Sequence, residues 1–179
     1  GNSFSRRKMK KWKDNKNNLR KKYFICFNRL PKDHRISLGL FLESKNYLKK
    51  GFVSFPKYNQ FWDWNVNKNH KFYSSLESFK SKLPLEIDSV NLEEKKWSFE
   101  LFNTNYYGDS YFQIVTENQF LSYEDQLSFT EKIWKPITNL QPFILMADRY
   151  QIKKLEEWGF KTFHPFIDES YDEVLDKNK

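Results

Sequence analysis

The sequence predicts an α/β domain whose sheet is mainly parallel and flanked by helices. Three observations lead there. Short apolar runs at residues 23–27, 52–55, 111–116 and 142–147 have strand length and are rich in aromatic and β-branched residues. Segments long enough for a helix separate the first run from the second and the third from the fourth, the pattern of two β-α-β units with parallel strands. Helix punctuation falls in the gaps, with Pro31 and Asp33 after the first run and Ser128 and Glu131 before the fourth.

The chain opens on a basic arm. Residues 1–22 carry ten Lys or Arg against the single acid Asp14, a balance of +9 in a chain whose formal net charge is +8. Residues 23–179 are therefore almost neutral, and the basicity belongs to the arm alone. Two readings fit it. Residues 6–22 would attract nucleic acid or an anionic membrane surface by screened, sequence-independent charge, or they form a solvated linker to an upstream domain. Residues 23–179, with aromatics at 19% of the whole chain, hold enough apolar material for one domain with a proper core.

Residues 23–27 read as the first core strand, holding the lone Cys26 as a small hydrophobe. A helix is expected over 34–47, capped by Asp33, with Ile36, Leu40, Phe41 and Leu48 on its buried face. Lys49, Lys50 and Gly51 read as its cationic last turn and glycine stop. Residues 52–55 are the second strand, ended by Pro56. The aromatic stretch 61–65 then reads as an irregular insertion whose Trp62 and Trp64 either cover the core edge or stack on a base or sugar. Helical spacing of Phe72, Leu76, Phe79 and Leu83 predicts a helix over 71–83, stopped by Pro84. Residues 97–102 are ambiguous between strand and helix, and 103–110 read as a loop into the third strand.

After the fourth strand, Ile152, Leu155 and Trp158 share a helix face, with Gly159 as its C′ residue. Residues 160–163 read as a last short strand. Ser170 and Glu173 fit a capping box, so a final helix is expected to begin there, and a chain that stops inside a helix reads as a piece of something longer.

Polar residues gather where these elements meet. Ser128 and Glu131 fit another capping box, yet Lys132 would then face the positive end of its helix dipole, a conflict that a bound anion removes. Arg29, His34 and Arg35 crowd the start of the first helix in the same way, with Asp33 or an anion as partner. The stretch 111–147 resembles the donor-site signature of the α1,3-fucosyltransferases. It places Thr116-Glu117-Asn118 after an apolar strand, Phe129-Thr130-Glu131-Lys132 at a helix start and Pro142-Phe143-Ile144-Leu145 in the next strand. In that family a strand ending in Phe-Glu-Asn-Ser is followed by a Tyr-Val-Thr-Glu-Lys helix start and an apolar strand, within the C-terminal half of a GT-B glycosyltransferase.

The resemblance implies a single Rossmann-like domain over 23–179 that binds a nucleotide-diphosphate sugar. It implies that Glu131 contacts the ribose or sugar, that Lys132 binds the diphosphate, and that Asn118 lies against the donor, with Glu117 and Thr130 in the same site. Arg29 and Arg35 would grip the pyrophosphate with multi-donor guanidinium groups. Metal-independent inverting transfer follows as the expected reaction. Its general base is not visible in the chain and would come from an acceptor-binding domain or a second chain.

A second reading is a non-catalytic assembly module, viral in origin, whose basic arm holds nucleic acid or a protein partner. No apolar run reaches the length of a membrane-spanning helix, the first residues lack the apolar centre of a secretory signal, and a lone cysteine suits a reducing compartment. A cytoplasmic or virion-associated location is expected.

Overall fold

The computed structural model describes residues 19–58, 64, 66–87, 105–120 and 129–174. Its centre is a four-stranded sheet in the order β2-β1-β3-β4, with every pair parallel. The strands are β1 (Lys22–Phe27), β2 (Gly51–Ser54), β3 (Ser110–Thr116) and β4 (Phe143–Met146). The helices are α1 (Asp33–Ser44), α2 (Leu76–Lys80), α3 (Asn105–Gly108), α4 (Glu131–Thr138) and α5 (Gln151–Glu157). This is the α/β, Rossmann-like domain that the apolar runs predict.

Strand alternation sorts the core onto two faces. Phe24 and Cys26 of β1 and Val53 of β2 pack with Leu38 and Leu42 of α1, joined by Phe112 and Ile114 of β3. Val115 of β3 and Phe143 and Leu145 of β4 pack instead with Ile133 of α4 and with Ile152 and Leu155 of α5. Thus α1 and α4 lie on opposite faces. That follows from the topology: from β1 the chain steps outward to β2, then returns past β1 to β3 and continues to β4. Crossovers of one hand that run in opposite directions must use opposite faces. The reversal makes a crevice outside the C-terminal ends of β1 and β3, where open α/β sheets bind their ligands.

Several boundaries differ from the sequence reading, for local reasons. Helix α1 ends at Ser44, because Asn46 takes the left-handed conformation (φ +56°) and the Tyr47 amide bonds back to Leu42. Gly51 is no helix stop. It opens β2 beside Phe24, whose ring occupies the space a Cβ would need. Asp33 is the first helical residue of α1 rather than its cap; the cap position is Lys32, without a side-chain cap bond.

The helix expected over 71–83 is a 3-10 turn, Tyr73–Ser75, running into the short α2. Part of the loop expected over 103–110 is α3, whose Tyr106 packs on Phe27 and Phe52. Trp64 is buried against Phe55 and Phe79, the core-covering alternative, while Trp62 and the ambiguous segment 97–102 lie outside the described residues.

No fifth strand forms at 160–163. The outer edge of β4 is met by a side chain instead, since the Leu145 amide donates to the Tyr171 hydroxyl (3.2 Å), and Phe163 turns inward onto Phe143. The final helix expected from Ser170 is a single 3-10 turn, Ser170–Glu173, ended by extended backbone at Val174. Its Asp172 caps α5 from a distance, accepting from the amides of Ile152 (3.1 Å) and Lys153 (3.2 Å). Gly159 does take the left-handed C′ position (φ +86°) after α5. Among the described residues no helix is long and apolar enough to cross a membrane.

Candidate functional site

Each strand that reaches the crevice ends in polar residues, and these bind one another across the reversal. The Thr116 hydroxyl donates to Asn28 Oδ1 (2.8 Å), and Asn28 Nδ2 donates in turn to Cys26 Sγ (3.2 Å). The ends of β1 and β3 are thereby joined below the rim. Burial pushes the Cys26 thiol up to about 12, so it is an inert acceptor there.

Arg35 lies in the first turn of α1 and is 2% exposed. Its guanidinium donates to the carbonyls of Leu30 (3.3 Å), Thr116 (3.1 Å) and Glu117 (3.0 Å) and to Asn118 Oδ1 (3.2 Å). Lys32, at the cap position, reaches the Asn118 carbonyl (2.6 Å). His34 Nε2 lies 3.0 Å from the Glu117 carbonyl. A carbonyl only accepts, so Nε2 carries the proton and Nδ1 keeps its lone pair. The imidazole also stacks on Phe120, with ring centroids 5.2 Å apart. Burial, and then the Arg35 charge, push His34 down to about 4, so the ring is neutral at neutral pH.

On the far side of Glu117 lies the start of α4. Thr130 caps it, its hydroxyl accepting from the Lys132 amide (3.4 Å), so Glu131 and Lys132 are the first and second helical residues. This replaces the capping box read at Ser128 and Glu131; Ser128 lies outside the described residues, and Glu131 comes two positions too early for that role. Glu117 is buried, and its carboxylate accepts from the Thr130 amide (3.2 Å) and the Thr130 hydroxyl. Lys132 Nζ sits 3.1 Å from Thr130 Oγ1, 3.2 Å from Glu131 Oε1 and 4.0 Å from Glu117 Oε2. Burial raises the Glu131 carboxyl, but its own amide and Lys132 outweigh this and leave it below the usual carboxylate range.

Six of the seven residues singled out in the sequence therefore converge: Arg35, Glu117, Asn118, Thr130, Glu131 and Lys132. Arg35 and Lys132 hold opposite ends of one residue, the first by the Glu117 carbonyl and the second beside its carboxylate. Arg35 spends its donors on three backbone carbonyls and the Asn118 side chain and positions the end of β3, whereas Lys132 and Lys32 keep partial access to solvent. Arg29 is exposed at the mouth of the same loop, without a hydrogen-bond or ion-pair partner among the described residues.

Sequence reading missed Asn28, Lys32 and the buried Asp148 at the end of β4. The signal that finds them is a polar residue directly after an apolar strand, or at a helix cap, on the side to which all strands point. Among the described residues no group of three or more His, Cys, Asp or Glu side chains is placed to hold a metal ion.

The chain is thus a Rossmann-like α/β protein with a polar rim built at its point of strand reversal. Comparison with protein-family models, with curated proteins and with solved structures finds no match.

Proposed function

We propose that this rim binds a nucleotide-diphosphate sugar, as the donor-binding half of a GT-B type, fucosyltransferase-like glycosyltransferase. One observation carries the reading. Arg35 and Lys132, brought from two β-α-β units, meet at Glu117 beside the strand reversal, which is where this fold class holds nucleotides.

In this reading Lys132 and Lys32, with Arg29 beside them, meet the diphosphate charge, and that charge grows on the leaving group during transfer. Glu131, partly exposed next to Lys132, accepts from a ribose or sugar hydroxyl. Asn118 and Thr130 line the approach. Arg35 and the Glu117 carboxylate act by position, one fixing the end of β3 and the other the start of α4. The acceptor and the base that deprotonates it come from another domain or chain.

Calorimetric titration of the full chain with GDP, UDP, their monophosphates and their sugar-linked forms tests this. The expected result is binding that requires the diphosphate and that Lys132→Ala weakens on the order of tenfold, the loss of a charge-assisted hydrogen bond. Glu131→Ala is expected to weaken the sugar-linked or ribose-bearing ligand as well. Absence of binding to every diphosphate, or binding indifferent to both substitutions, overturns the reading.

A further inference from the structure

The opposite edge of the sheet has a different construction. Where β3 and β4 begin, a groove of about 560 Å³ opens between the start of β3, the turn into β4 and the segment after α5. That volume lies in the usual range for small-ligand pockets. Its walls include the rings of Tyr111, Phe143, Phe160 and Phe163, with Arg20 and Lys161 at its polar margin.

Tyr111 is 43% exposed and Tyr23 on the neighbouring strand 60%. Their ring centroids lie 6.3 Å apart, so the aromatic surface continues out of the groove across β1. Lys161 has no hydrogen-bond or ion-pair partner among the described residues, although Glu156 is near enough to accept from Thr162 (2.9 Å). Arg20 is pinned by its guanidinium to the carbonyls of Tyr107 and Gly108 and by its amide to the Tyr111 hydroxyl. Arg20, which belongs to the stretch 1–22 whose sequence carries a charge of +9, is therefore held at the groove.

We propose that this N-terminal edge binds single-stranded nucleic acid, a base entering the groove against Tyr111 and Phe160 while the phosphates run over Arg20 and Lys161. Base faces stack on aromatic side chains and the strand's charge is met by flanking cations, the usual construction of single-strand binders. A duplex keeps its bases stacked inside and offers no ring to the groove. A membrane surface is a poorer fit, because its contacts favour rings that project, and here they line a hollow. The site is separate from the polar rim and does not depend on the donor-binding reading.

The test is fluorescence anisotropy of a labelled twelve-residue oligo-dT with the full chain, repeated across a salt series. The expected result is affinity that falls with salt, with a logarithmic slope of about −0.7 for each phosphate engaged. Tyr111→Ala and Lys161→Glu are each expected to weaken binding about tenfold. Lys153→Glu makes the same charge change on exposed α5 surface outside the groove, and is expected to change affinity less than about twofold. Lys161 is exposed and has no ion-pair partner among the described residues, so its variant tests the site even if Tyr111→Ala folds poorly. The proposal is overturned if Lys161→Glu weakens binding no more than Lys153→Glu does. It is also overturned if phosphatidylserine vesicles displace the oligonucleotide, if duplex of equal length binds as well, or if no oligonucleotide binds.

Discussion

The two edges of this sheet hold similar residue types in opposite states. At the C-terminal rim Arg35 is buried and Lys32 half-buried, and both spend donors on protein: Arg35 on the Leu30, Thr116 and Glu117 carbonyls and the Asn118 side chain, and Lys32 on the Asn118 carbonyl, while Arg29 alone of the rim cations named above stays exposed. At the N-terminal edge Lys161 has no such partner among the described residues, and Tyr111 and Phe160 are 43% and 38% exposed, while Phe143 in the same wall belongs to the core.

The difference comes from the direction of the chain. All four strands present terminal carbonyls to the rim, so a cation there finds backbone acceptors without any carboxylate. This also explains the crowding of Lys32, His34 and Arg35 at the positive end of α1, which dipole reasoning disfavours. Their side chains reach across to the end of β3. At the rim the Arg35 charge is built into the fold by its four acceptors, whereas at the groove Lys161 is exposed beside walls that include the core residues Phe143 and Leu155.

The strongest way to break this comparison is Arg35→Met. It keeps the aliphatic stem but leaves the Thr116 and Glu117 carbonyls without their charged donor in a buried setting. The expected loss of stability is about 3 kcal/mol or more, read as a shift of the urea midpoint. A loss below about 1 kcal/mol would mean that the rim does not need this charge to fold.

Next in size is the pH dependence set by His34. Its folded value is pushed from 6.5 down to about 4, so between those two pH values the unfolded chain binds a proton that the folded one excludes. Stability is then full above pH 6.5, falls as pH drops toward 4, and loses nothing further from this group below that. The difference across the window is on the order of 3 kcal/mol. His34→Gln is expected to flatten the slope of denaturation midpoint against pH in that window. An unchanged slope would show that the ring is not held neutral by the Arg35 charge and burial.

How far the sequence exposes these edges depends on the range of the forces involved. The strands were legible because apolar runs of the right length are local, and so were Glu117, Asn118, Thr130, Glu131 and Lys132, which flank a strand end and a helix start. The partner of Arg35 was not legible. Its position near a helix start suggested a ligand contact, but three of its four acceptors lie more than eighty residues away, at the end of β3 and just beyond it. Lys32 and Asn28 were hidden for the same reason, since a single polar residue after a strand gains meaning only when the neighbouring strand is known. The turn at 170–173 looked like a new helix because its spacing allows one, whereas its role is to cap α5 and seal the edge of β4. The groove depends on residues 20, 111 and 160–163 meeting in space, which no local pattern encodes.

The smallest effect is expected at the groove, from Leu140→Gly. Leu140 follows α4 with φ at +55°, a conformation that costs a branched, bulky residue roughly 1 kcal/mol and glycine almost nothing. Its side chain is 45% exposed on the groove wall, so truncation forfeits only part of its apolar contact. Relief of strain and loss of contact oppose each other, and the first is the larger for a half-exposed side chain. The variant is therefore expected to raise stability by about 0.5 kcal/mol, measured by denaturant midpoint. Asn46, which has the same conformation at the end of α1, supplies the control: Asn tolerates positive φ better than Leu, so Asn46→Gly should gain less. A clear loss of stability in Leu140→Gly alone would mean that its packing outweighs the strain. The groove wall would then be as much a part of the folded framework as the rim, and the contrast between the two edges would fail.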